Sequence, residues 1–219
     1  SHRDQAKEAA SRRGDLIHEL LDNRELDEAI GRSRWKRLSR LQGWPSKVSQ
    51  KQEDRITSDL RALKASEDLQ LMFKSESHSE PGFDIRIGSL SLQGRIDLLW
   101  KDGEEWVLTD FKSEEIKSRD AAWTEHGDQL TAYAWAAGRL LGTEVQRTEL
   151  LATRTGKRIP MPQLTPADFS TFQGLLERIE EDGQLPANQL SKRILADEAS
   201  RPCENCSYLN SLCQGKALP

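Results

Sequence analysis

Two short segments joined by a tight turn constrain this chain more than any other feature. Leu90 to Trp100 and Trp106 to Lys112 both read as strands, and Lys101-Asp102-Gly103-Glu104 between them carries the Asp-Gly pair that hairpin turns favour. The two strands are therefore expected to be neighbours. Asp97 lies on the first and Asp110 near the end of the second, so their carboxylates converge. Side chains alternate across a strand, which puts Asp110 and Lys112 on one face and sends Phe111 into the core. Two converging carboxylates plus water suit a hard cation, Mg²⁺ or Mn²⁺. Such a cation lowers the pKa of a water and polarises a phosphoryl oxygen, while Lys112 orients the nucleophile or stabilises developing charge. Taken alone, Asp110-x-Lys112 is also a plain ion pair at a strand end, which is the commoner meaning of such a triplet.

The rest of the chain supplies a frame for this hairpin. Residues 5–22 form an amphipathic pattern with Leu16, Ile17, Leu20 and Leu21 as its apolar stripe. Residues 24–73 read as mainly helical, broken near Gly43-Trp44-Pro45. Phe83 to Ile87 alternates with a period of two and turns at Gly88-Ser89. A helix is expected over about 117–141, stopped by Gly142 in a left-handed cap. Glu149–Thr153 and Arg158–Met161 suggest two further strands, and Thr165-Pro166 opens a helix running to Glu181. At 219 residues and 36% hydrophobic content the core must be small, and one sheet with covering helices is the economical solution.

The net charge of −4 speaks weakly against a nucleic-acid partner, but the distribution of charge matters more. Arg32, Arg34, Lys36, Arg37, Arg40, Lys47 and Lys51 fall between Gly31 and Gln52 without one acidic residue, and Trp35 and Trp44 lie among them. Cations for phosphates beside rings for bases suit a single strand. A solvated helix face with inward-packed tryptophans gives the same pattern and is the commoner origin of it. No apolar run is long enough to cross a bilayer and no secretory signal is visible, so the expectation is a cytoplasmic protein with no membrane association. The opening Ser1-His2 reads as the start of a piece excised from a longer protein.

Four segments then combine into a resemblance. Gly94-Arg95-Ile96-Asp97, followed by Thr109-Asp110-Phe111-Lys112-Ser113, resembles the paired motifs of PD-(D/E)xK nucleases of the RecB, AddA and AddB helicase–nuclease family. Gly14-x-x-x-His18-x-x-Leu21 resembles the family's N-terminal helix, and Gln129-x-x-x-Tyr133 its downstream helix. Glu80-Pro81-Gly82-Phe83 is similar to the acidic start of its first strand. The segments occur in family order across about residues 10–140.

The resemblance implies that His18 and the main-chain carbonyl of Phe111 join Asp97 and Asp110 as metal ligands. It implies that Gln129 and Tyr133, which share one helix face by their spacing of four, line the substrate path. Each keeps an ordinary alternative: a satisfied core histidine for His18, a buried hydrogen bond for Gln129 and Tyr133. The implied fold is an α/β restriction-endonuclease-like core, a mixed central sheet flanked by helices, with an N-terminal helical arm. Residues 1–78 would form that arm, 79–185 the nuclease core and 186–219 a cysteine-bearing tail of a single domain. The implied activity is Mg²⁺- or Mn²⁺-dependent DNA hydrolysis, exonucleolytic on single-stranded ends and coupled to a helicase in double-strand break repair. The rivals are an inactive DNA-binding scaffold of the same fold and a structure-specific endonuclease.

Three cysteines cannot all pair as disulfides, which fits a reducing compartment. Cys203-x-x-Cys206 followed by Cys213 resembles the C-terminal part of the iron–sulfur staple in some AddB-type relatives. A cluster needs a fourth thiolate, which in the family lies upstream of the histidine helix. Zinc completed by a histidine and three ordinary thiols are the alternatives.

Overall fold

The computed structural model describes residues 2–184, and Cys203, Cys206 and Cys213 lie outside them. Helices α1 (His2–Asp22), α2 (Glu28–Gln42), α3 (Ser46–Lys64) and α4 (Glu67–Lys74) come first. Strands β1 (Ser77–Ser79), β2 (Gly82–Ile87), β3 (Leu90–Arg95), β4 (Leu98–Asp102) and β5 (Glu105–Lys112) follow. Helix α5 (Arg119–Leu141), strands β6 (Arg147–Ala152) and β7 (Lys157–Pro160), and helix α6 (Pro166–Gly183) complete the described order.

The expected mixed α/β architecture is present. One sheet has the order β1-β4-β5-β6-β7, and β2 and β3 form a separate two-stranded ribbon. In the larger sheet all neighbours are antiparallel except β5 and β6, which run parallel. A parallel pair needs a crossover rather than a tight turn, and α5 provides it. The chain divides into two compact units. Among the described residues the first holds 2–84 and 93–169, and the second takes in 85–92 and 170–184. Within the second, the Ser89 amide at the ribbon's turn donates to Glu180 Oε1 at 2.9 Å.

Local chemistry sets the helix limits in the first unit. Asp27 caps α2 by accepting from the Ala29 and Ile30 amides, and Gly43 ends that helix at a φ of +64°. Ser118 caps the start of α5, and Gly142 stops it in the left-handed conformation that its lack of a Cβ permits. Thr165 does not merely precede the α6 proline. Its amide and hydroxyl both bond Asp168 Oδ2, a short capping box.

Alternation along the sheet builds the main core. Leu98, Trp100, Val107, Phe111 and Leu151 pack with Ile17, Leu20 and Leu21 of α1, Ile56, Leu60 and Leu63 of α3, and Leu69 and Met72 of α4. Phe111 therefore points inward as its position in the strand predicts. Trp35 and Trp44 belong to the same core and stack on each other at 5.2 Å between centroids, with the Trp35 indole N–H donating to the Ser49 carbonyl. They are packing residues, so of the two origins open to the basic segment the inward-packed tryptophans are the one observed, and base stacking by these rings is not. Gly31 lies where α2 and α3 touch. A Cβ there would come within 2.4 Å of Leu60 Cδ1, so Gly31 permits the close approach.

One element departs from its sequence expectation where it matters for the site. Leu90 to Trp100 is not a continuous strand: β3 ends at Arg95, β4 begins at Leu98, and the two belong to different sheets. The main chain at Ile96 and Asp97 is held by the preceding segment instead. The Glu80 amide donates to the Asp97 carbonyl at 3.0 Å, and the Ile96 amide to the Pro81 carbonyl at 3.2 Å. Asp97 thus sits at a corner between sheets. Glu80, at a φ of +46°, takes a left-handed backbone unusual for its type to make that exchange. Among the described residues no helix is long and apolar enough to cross a membrane.

Candidate active site

The site forms where β4 and β5 part. Their pairing stops at Leu98↔Thr109, so β5 runs on through Asp110, Phe111 and Lys112 with β6 alone beside it. Asp97 fills the place where β4 would have continued. Its Oδ2 accepts the Phe111 amide at 2.6 Å, and its Oδ1 lies 3.2 Å from His18 Nδ1. In the neutral tautomer whose Nδ1–H donates to this carboxylate, Nε2 of His18 carries the lone pair, the usual arrangement of a metal-binding histidine. His18 comes from α1 and also meets the Phe111 ring edge-on at 5.8 Å.

On the other side of the strand end, Lys112 Nζ lies 2.9 Å from Asp110 Oδ2 and donates to Gln129 Oε1 at 3.3 Å. His18, Asp97, Phe111, Asp110, Lys112 and Gln129 therefore form one continuous chain of contacts. Tyr133, one turn beyond Gln129 on α5, packs edge-on against Phe83 at 5.7 Å. Phe83 in turn lies over Gly94, where a Cβ would sit 2.4 Å from its ring. The glycine of the Gly94-Arg95-Ile96-Asp97 segment thus has a packing reason.

The electrostatics favour a cation. Asp110 is only 4% exposed, and its Oδ2 has no aligned hydrogen bond despite the nearby ammonium. Burial first, and the Asp97 charge second, raise the Asp110 pKa above the ordinary carboxylate value, outweighing Lys112 and His18. Burial disfavours a charged His18, but the hydrogen bond to Asp97 and the charges of Asp97 and Asp110 overcome it and raise its pKa. Two crowded carboxylates and an imidazole nitrogen make a donor set whose chemistry suits a divalent ion. His18 Nε2, Asp97 and Asp110 are the side chains that would hold it.

These three do not bring one ligand atom each within 4.8 Å of one another. Among the described residues the group that does is Glu114, Glu125 and His126, with His126 Nε2 3.2 Å from Glu114 Oε1. Sequence reasoning missed this group. Its one sequence signal was spacing, since His126 precedes Gln129 and Tyr133 by three and seven on α5.

The basic segment is less available than its sequence suggests. Arg34 pairs with Glu19 at 2.7 Å and also with Glu25. Lys36 reaches Glu53 at 3.3 Å, and Arg32 lies 3.9 Å from Glu28. Arg37 and Arg40 stand exposed on α2. Charge reversal at Arg37 and Arg40 is expected to weaken DNA binding and to lower the salt slope by about 0.7–0.9 for each phosphate that no longer meets a cation. Binding titrations at several salt concentrations check this, and an unchanged slope assigns the face to another role. Arg34→Glu is expected to add little to the effect.

No curated protein matches this chain. The solved crystal structure of SSO0001 matches it at 14% identity over 75% of each chain, with a TM-score of 0.35. The family model of the PD-(D/E)XK nuclease superfamily aligns with residues 2–214. With nearly its whole length covered, the chain belongs to the PD-(D/E)XK nuclease superfamily.

Proposed function

We propose that this chain is a Mg²⁺- or Mn²⁺-dependent deoxyribonuclease of the RecB, AddA and AddB type, acting exonucleolytically on single-stranded ends. The observation that carries this reading is the unbroken run of contacts from His18 through Asp97 and Phe111 to Asp110, Lys112 and Gln129. When bound by His18, Asp97, Asp110 and the Phe111 carbonyl, a divalent ion supplies Lewis acidity toward water and phosphate. Lys112 carries a compact positive charge at the same place, held by Asp110 and steadied by Gln129. From there its ammonium orients the attacking water and offsets the charge that builds on the phosphoryl oxygens. Asp97 holds the strand end in shape through the Phe111 amide while presenting its other oxygen to His18. Gln129 and Tyr133 line the path of the strand along α5.

A helicase on the same or a partner polypeptide, in double-strand break processing, completes the reading. The cysteines would then tie the tail through an iron–sulfur cluster or a zinc ion. The test is digestion of end-labelled linear and of circular single-stranded DNA of one sequence, with Mg²⁺, with Mn²⁺ and with EDTA. Loss of the linear substrate alone, abolished by EDTA and restored by either metal, is the expected result. Cutting of the circle makes the protein an endonuclease, and metal-independent cutting overturns the reading.

A further inference from the structure

The most deeply buried ion pair beside the site joins three elements distant in sequence. Arg13 of α1 donates through Nη1 to Asp59 Oδ2 of α3 at 2.6 Å, and both side chains are 5% exposed. Its second terminal nitrogen, Nη2, donates to the main-chain carbonyl of Ser113 at 3.0 Å. Ser113 directly follows Lys112. The neighbouring Gly14 sits so close to it that an added Cβ would lie 3.1 Å from Ser113 Oγ. The same helix carries His18 little more than one turn further on.

We infer that Arg13, braced by Asp59, is a positioning residue that sets the distance between the His18 helix and the β5 end bearing Phe111 and Lys112. The physical argument is one of reach. A guanidinium offers five donors in a rigid fork and can hold a carboxylate and a carbonyl at once, whereas an ammonium on a flexible stem satisfies one direction well. The fork is fixed by a carboxylate on a third element, so the Ser113 carbonyl is held from a buttressed point rather than from a swinging side chain. The inference rests on the nuclease reading, because it concerns where His18 and Lys112 stand relative to each other.

A buried pair also serves stability alone, and the two roles separate in a double substitution. Removing one partner strands the other's charge, but replacing both by apolar side chains of similar size is often neutral for folding. The test therefore uses Arg13→Met/Asp59→Leu and, separately, Arg13→Lys. Each is compared with wild type for melting temperature, for kcat and KM on a short single strand, and for the Mn²⁺ concentration giving half-maximal rate. Misplacement by about 1 Å costs on the order of a hundredfold in rate. The expected result is a kcat about tenfold to a hundredfold lower in both variants, a KM within about threefold of wild type, and a raised Mn²⁺ requirement.

A double variant that melts near wild type and cleaves at the wild-type rate overturns the inference, because the pair is then only structural. If the double variant does not fold, Arg13→Lys decides alone: wild-type kcat and Mn²⁺ requirement overturn the positioning role, and the slow, metal-hungry phenotype supports it. Wild-type protein without metal-dependent cleavage refutes the nuclease reading itself, which is a distinguishable failure.

Discussion

Asp110→Asn is expected to lose cleavage by about a thousandfold or more and yet to melt at a higher temperature than wild type in EDTA. On the proposed metal site, the first effect follows from removing a ligand of a cation that would contribute several kcal/mol to the transition state, each ~1.4 kcal/mol being tenfold in rate. The second follows from the crowding at Asp110. Its carboxyl binds a proton more tightly in the folded protein than in the unfolded chain, because burial and the Asp97 charge disfavour the ionised form. A raised carboxyl pKa contributes stability that is present below the unfolded value of about 3.9 and lost as pH rises through the folded value. The gain in the Asn variant should therefore open as pH rises above about 4 and vanish at more acid pH. For a chain of this size each kcal/mol recovered shifts the midpoint by about 2–4 °C. Calorimetry across pH, paired with a cleavage assay, measures both effects. Wild-type cleavage by the Asn variant would remove Asp110 from the site.

Lys112→Ala is expected to lower kcat by about a hundredfold or more, about 2.7 kcal/mol of barrier, while leaving the affinity for a short strand within a few fold. The side chain reaches Asp110 and Gln129 and stands at the strand end rather than in the core. In the proposed reaction its charge therefore matters most when charge builds on the phosphate. Lys112→Arg is expected to fail as well, because a planar fork does not fit where a compact ammonium lies 2.9 Å from a buried carboxylate oxygen. Gln129→Ala, which loosens the ammonium without removing it, is expected to cost about tenfold. Single-turnover rates with separately measured binding distinguish these outcomes. Parallel losses of binding and cleavage in Lys112→Ala would reduce the residue to an ion-pair partner.

What was legible in the sequence was what short-range periodicity controls. The inward turn of Phe111 and the common face of Asp110 and Lys112 need only the two-residue repeat of a strand, and the left-handed stop at Gly142 needs only a missing Cβ. The break at Ile96-Asp97 was not legible, because it depends on the Glu80 and Pro81 main chain arriving from outside the hairpin. The basic segment misled for a related reason. It contains no acidic residue, yet Glu19, Glu25 and Glu53 reach it from neighbouring elements. The inward packing of Trp35 and Trp44 was the commoner reading of the pattern, but nothing local names the core residues that receive them. Asp59 carries no signal either, since its partner is 46 residues away.

The parting of β4 and β5 also bears on how an inactive form of this protein should be made. Where a strand end loses its neighbour, the bare amides are ordinarily left to water or to another chain. Here a side chain replaces the missing neighbour, so the carboxylate of Asp97 is structural, and on the proposed reading a metal ligand as well. Truncating it would leave the Phe111 amide without an acceptor in a part-buried place, a loss of about 1–3 kcal/mol before any chemistry is considered. Asp97 variants therefore mix two defects that no activity assay can tell apart. Lys112→Ala carries a burden of its own, because it strips the buried Asp110 of the ammonium 2.9 Å away. Asp110→Asn removes the crowded charge and breaks no main-chain contact, so on the proposed reading it is the substitution of choice for a folded, silent protein.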